Sequence, residues 1–120
     1  MLVIDAANVV GSRPTGWWRD RAGAAGVFTQ RVRATVAAGR LEPNVLIVLE
    51  GRARAGAVEA DVDGVKVVHA PGAGDDTIAA IAENQRDVVV VTADRELSQR
   101  VRSLNAEVVG PSWLIDQLDY

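Results

Sequence analysis

The sequence predicts an α/β fold: a three-layer α/β/α sandwich around a mainly parallel, Rossmann-like sheet of five strands. Three observations carry that expectation. Short strand-like runs at Leu2–Ile4, Val45–Leu49, Val65–His69, Val88–Val91 and Glu107–Val109 alternate with helical patterns, which implies right-handed crossovers, parallel pairing and helices on both faces. Val88–Val91 is four consecutive valines, the pattern of a strand buried on both sides. The first run stops at a carboxylate, Asp5, as expected of a central strand that delivers a charge to its C-terminal mouth.

At 120 residues with 48% apolar composition, the chain reads as a single domain spanning 1–120. The absence of cysteine excludes disulfides, zinc–thiolate sites and thiol catalysis. A basic leader and a membrane-length apolar run are both lacking, so the expectation is a cytoplasmic protein without a membrane partner. The net charge of −3 speaks against nucleic-acid binding by bulk electrostatics alone, yet it allows acids gathered at a metal site inside a basic rim.

Taken in order, Asn8–Gly16 is read as a loop from its Gly, Ser, Pro and Thr. Trp17–Ala38 is read as a helix with Trp18, Ala22, Ala25, Phe28, Val32 and Val36 at inward spacing, Gly23 and Gly26 as weak points and Gly39 as its stop. Leu41–Asn44 turns into the second strand. Gly51–Gly64 has no clear period and is read as a loop with at most a short helical turn. After the third strand, Ala70–Gly74 breaks the chain and Asp75–Gln85 is helical, with Ile78, Ile81 and Ala82 inward. Asp94–Leu104 repeats Leu97, Val101 and Leu104, with Asn105 as a left-handed cap. Gly110-Pro111-Ser112 opens a last helix whose Trp113, Leu114 and Leu118 are available to cover the sheet.

Acids recur where strands end or helices begin: Asp5, Glu50, Asp75-Asp76 and Asp94. In an open parallel sheet ligands bind outside the carboxyl ends of the strands, so these acids are expected to converge. Asp75 shares a helix face with Ile78 and Ala82 and is the inward candidate, whereas Asp76 lies about 100° round and flanks it. Carboxylates held together repel unless a cation compensates, and a hard divalent ion with oxygen ligands does so. Asn8 is placed to lend a neutral oxygen or orient Asp5, and Thr92 to bond one of the acids. A plainer role exists for each: Asp75 and Asp94 as helix N-terminal acids, Glu50 as a partner of Arg52 or Arg54. The arginines Arg13, Arg19, Arg52, Arg54 and Arg95 follow strand ends and are candidate phosphate contacts, with solvated surface charge as the alternative. Trp17 and Trp18 are read chiefly as helix packing, one of them able to stack on a base. His69 is read as structural, and Trp113 as packing.

Asp5-Ala-Ala-Asn8 closing the first strand, Gly74-Asp75-Asp76-Thr77-Ile78 opening a helix and Val91-Thr92-Ala93-Asp94-Arg95-Glu96-Leu97 after the valine strand together resemble the NYN branch of the PIN-like nucleases, most closely its bacterial YacP-like group. The resemblance spans nearly the whole chain and implies strand order 3-2-1-4-5. It also implies an Mg²⁺- or Mn²⁺-dependent endoribonuclease acting on RNA, with Asp5, Asp75 and Asp94 as metal-binding catalytic residues and Asn8 and Asp76 in support, Asp76 beside the metal; Thr92 and Glu50 join the supporting set from their own positions. Glu50 departs from the aspartate that YacP-like sequences tend to carry there. Gly51–Gly64 is also short for the family, which leaves room for a reduced substrate platform or a homodimer. Two other readings stand beside it: an RNA-binding module with a vestigial pocket, and a small-nucleotide phosphohydrolase. Other α/β families fit worse, because the chain lacks the glycine-rich turn of a dinucleotide fold after its first strand and the second aspartate of a haloacid-dehalogenase-type phosphatase at position 7, where Ala7 sits.

Overall fold

Strands β1 (Leu2–Asp5), β2 (Val45–Leu49), β3 (Asp61–Val62), β4 (Val65–His69), β5 (Val89–Val91) and β6 (Glu107–Val109) form one sheet in the order β3-β4-β2-β1-β5-β6 in the computed structural model, which describes residues 1–119. Five of the six strands are parallel and lie in the expected 3-2-1-4-5 order. The sixth, β3, corrects the reading of Gly51–Gly64 as loop. It pairs antiparallel with β4 through Asp61↔Lys66 and Val62↔Val65. The hairpin closes through Asp63 and Gly64, both at positive φ (51° and 85°), as a two-residue turn twisted to match its strands requires.

Helices α1 (Ala6–Gly11), α2 (Arg21–Ala37) and α5 (Pro111–Leu118) cover one face of the sheet; α3 (Gly74–Asn84) and α4 (Arg95–Arg102) cover the other. The strands divide their side chains accordingly. Ile4, Ile47, Leu49 and Val91 pack with Phe28, Val32, Leu114 and Leu118. Val3, Leu46, Val48 and Val90 pack with Ile78, Leu97 and Val101. All five residues of β2 are buried, as an apolar run in the middle of a doubly covered sheet demands.

Two boundaries move. The chain turns into α1 directly after Asp5, where a loop from Asn8 was expected, because the Asp5 carboxylate accepts from the Asn8 N–H as an N-cap. The long helix begins at Arg21, after a single 3-10 turn at Trp17–Arg19, because Asp20 caps it through the Gly23 N–H at 2.9 Å. α2 runs unbroken through Gly23 and Gly26. Gly26 lets the backbone of Gly56 approach, and a Cβ on Gly56 would sit 2.1 Å from the Ala22 carbonyl oxygen. The tryptophans also differ from expectation: Trp18 is 52% and Trp113 42% exposed, while Leu114 and Leu118 do the covering. His69 is structural, its Nε2–H donating to the Ala57 carbonyl at 2.7 Å.

Candidate active site

The direction of chain growth reverses between β1 and β5. From β1 the chain adds β2 and β4 on one side, then returns to place β5 on the other. A sheet of this kind splits open at that point, and the crevice lies beyond the carboxyl ends of the two strands. Asp5 ends β1 there, 8% exposed. Its Oδ2 accepts from the Thr92 hydroxyl at 2.9 Å and its Oδ1 from the Asn8 N–H at 3.4 Å. Burial pushes the Asp5 carboxyl above its ordinary value; the bonds from Thr92 and Asn8 work against that, and the charges of Glu50 and Asp94 add to it. A carboxylate so placed gains from a nearby cation.

Each neighbour is held by its own element. Thr92 Oγ1, besides donating to Asp5, accepts from the Asp94 N–H at 3.1 Å. Asp94 caps α4, its Oδ1 accepting from the Leu97 N–H at 3.1 Å. Asn8 reaches across the crevice, where its Oδ1 accepts from the Ala93 N–H at 2.7 Å and ties α1 to the turn after β5. Glu50 follows β2, and its Oε2 accepts from the Gly74 N–H at 3.1 Å, which docks the start of α3. Asp75 follows in the first turn of α3. Asp5, Asn8, Glu50, Asp75 and Asp94, with Ala7, line a single open cleft of about 380 Å³.

No protein-family model matches the sequence, and no curated protein matches it. Among solved structures, the crystal structure of Rae1 (YacP) from Bacillus subtilis matches 98% of this chain and 73% of its own, with a TM-score of 0.74 and 15% sequence identity. The chain has the Rae1 fold. At that identity the likeness to Rae1 speaks for the sheet and its helices, and every residue assignment rests on the cleft itself.

The cleft contains three expected acids, Asp5, Asp75 and Asp94, together with Glu50 and Asn8. Asp76 lies elsewhere. One residue further round α3, its carboxylate takes Nη1 of Arg100 at 2.7 Å in an exposed ion pair, and that contact holds the Arg100 proton more tightly than usual. The Glu50 carboxylate bonds Gly74 rather than Arg52 or Arg54. None of the five expected arginines lines the cleft. Arg19 lies 5.8 Å from the Trp18 ring centroid; Arg54 donates to the Gly51 carbonyl at 3.0 Å and to the Ala70 carbonyl at 3.5 Å. Arg52 and Arg95 are exposed on the 3-10 turn after β2 and at the start of α4, and Arg13 is half-buried just beyond α1.

The donors suit a hard divalent cation: four carboxylates and one amide oxygen, without nitrogen or sulfur ligands. Their spacing is looser than an assembled site, since among the described residues no three acids stand close enough to hold one ion. Glu50, Asp75 and Asp94 each spend an oxygen on a backbone N–H, respectively that of Gly74, Asp76 and Leu97. Gathering round an ion on Asp5 requires side-chain rotation in this set.

Two further arginines, Arg21 and Arg100, take partners that were not expected from the sequence. Arg21 is the first residue of α2 and lines a second cavity with Trp17 and Glu50. Asp20 was the available signal, because an aspartate three residues before Gly23 is a capping residue. Arg100 carries no signal of this kind; its pairing with Asp76 joins two helices that only the fold brings together.

Proposed function

We propose that the protein is a divalent-metal-dependent ribonuclease that hydrolyses RNA phosphodiester bonds in the cleft at Asp5, and that it belongs to the NYN branch of the PIN-like nucleases. The observation that carries this reading is a buried carboxylate at the switch point of the sheet, facing three further acids. The Rae1 fold and the three ordered motifs around Asp5, Asp75 and Asp94 support it.

Asp5, Asp75 and Asp94, with Glu50, would hold Mg²⁺ or Mn²⁺, and the ion would neutralise phosphate charge and lower the barrier to attack by water. Asp5 is the fixed member, clamped by Thr92 and Asn8. Asp75 and Asp94 sit at exposed helix starts, where water and substrate reach them. One of them takes the proton of the attacking water as the P–O bond to the leaving ribose oxygen breaks, and that oxygen is protonated from solvent. Asn8 keeps the β5–α4 turn in register with α1, so that Asp94 stays opposite Asp5.

Replacing Asp5 by Asn and assaying single-stranded RNA with Mn²⁺ tests the reading. Cleavage should fall by about two orders of magnitude or more, as expected on losing a principal charge-stabilising group; undiminished cleavage by the folded variant refutes the assignment. The loose spacing of the acids favours one competing reading, an RNA-binding module that does not turn over. RNA affinity without cleavage at any Mn²⁺ concentration would establish that alternative. Hydrolysis of nucleoside triphosphates in preference to oligonucleotides would instead identify a small-nucleotide phosphohydrolase.

A further inference from the structure

We propose that the cavity beside the acidic cleft is a nucleobase subsite, which takes the unpaired base of the nucleotide whose phosphate enters the cleft. The identity of that phosphate rests on the ribonuclease reading; the subsite rests on the cavity. It measures about 310 Å³, the lower end of the range for small-molecule pockets, which run from roughly 300 to 1,000 Å³. That suits one ring system.

Position argues for the base of the same nucleotide. Ala7 and Glu50 line both the cavity and the cleft, so the two share a wall. A nucleotide with its phosphate over Asp5 can reach across that wall with its base. The lining suits a flat aromatic ligand: Ala24 and Ala53 leave the space open, and Trp17 and Arg21 are among its walls. The Arg21 guanidinium lies 5.5 Å from the Trp17 ring centroid, and Trp18 meets Trp17 edge-on at 5.9 Å. Aromatic rings and guanidinium planes are the groups on which unpaired bases stack. A base inside a duplex keeps its faces covered by its neighbours, so the subsite selects single-stranded RNA.

The test uses a tetranucleotide carrying one 2-aminopurine and, at each linkage, a methylene group in place of the leaving ribose oxygen, so that no P–O bond can break there and binding is read without cleavage. The whole chain in Mn²⁺ is titrated by 2-aminopurine fluorescence, beside Ala24→Leu and Arg21→Ala. Leucine at position 24 fills the cavity, and Arg21→Ala removes one stacking plane from an exposed position. Each should weaken binding by about tenfold, the size of one lost base stack. The same strand annealed to its complement should give no change. Native-like affinity in both folded cavity variants, or an equal signal from the duplex, overturns the subsite. Failure of the ribonuclease reading looks different: the native chain would cleave nothing while the signal stayed sensitive to Ala24→Leu.

Discussion

Asp5→Asn should make the protein more stable at neutral pH in the absence of metal. The folded-state carboxyl of Asp5 lies above its ordinary value of 3.8, chiefly through burial. A raised acid contributes its stability in full below the unfolded value, and that contribution is lost as pH rises through the folded one. The native protein should therefore lose stability relative to the variant as pH climbs from 3.8, with a slope no steeper than about 1.4 kcal/mol per pH unit for a single proton. Asparagine can keep both bonds, accepting from the Asn8 N–H and donating to Thr92 Oγ1. Removing a strained functional charge commonly gains about 0.5–2 kcal/mol. For a chain of this length that corresponds to a rise in Tm of roughly 2–8 °C. Thermal unfolding in chelator between pH 4 and 8 measures it. Saturating Mn²⁺ should then reverse the order, since an ion at 100 times its Kd adds about 2.7 kcal/mol to the native protein and little to the variant. A variant less stable than native at pH 7 in chelator, or equal Mn²⁺ shifts in the two proteins, would refute the reasoning.

Other substitutions probe the scaffold. Thr92→Val strips Asp5 of a donor and the Asp94 N–H of its acceptor, and should cost about 1–3 kcal/mol in urea unfolding. Gly56→Ala drives a Cβ into the Ala22 carbonyl and the Gly26 N–H; a loss of about 1–3 kcal/mol is expected from forcing apart packed backbone, and an unchanged Tm would contradict that contact. Thr29 is fully buried and its hydroxyl has no hydrogen-bond partner, so Thr29→Val should stabilise by about 1 kcal/mol without affecting RNA cleavage.

The sheet was legible because its strands are written as runs that only a doubly covered sheet accommodates, β2 and β5 above all. The acids were legible because each punctuates an apolar run or opens a helix, and the fold brings four of them to one cleft. What escaped has physical causes. β3 is two exposed residues long, too short for a period, and its signal was the Asp63-Gly64 turn. The start of α2 was hidden because Trp18 continues its spacing backwards although the ring is exposed. Asp76 and Asp75 are adjacent in sequence, and a helix turn of about 100° sends one to the cleft and the other to Arg100. The arginines follow strand ends as expected, but a long side chain takes its partner from tertiary neighbours, and Arg19 and Arg54 found a ring and two carbonyls.

The most direct measurement is a crystal structure of the protein soaked in Mn²⁺, with the ion located by its anomalous scattering. The expected result is an ion bonded to a carboxylate oxygen of Asp5, with Asp75, Asp94 or Glu50 swung off its backbone N–H to join it. An ion found only at other acids, or an Asp5 carboxylate unmoved and unliganded at saturating Mn²⁺, would contradict it.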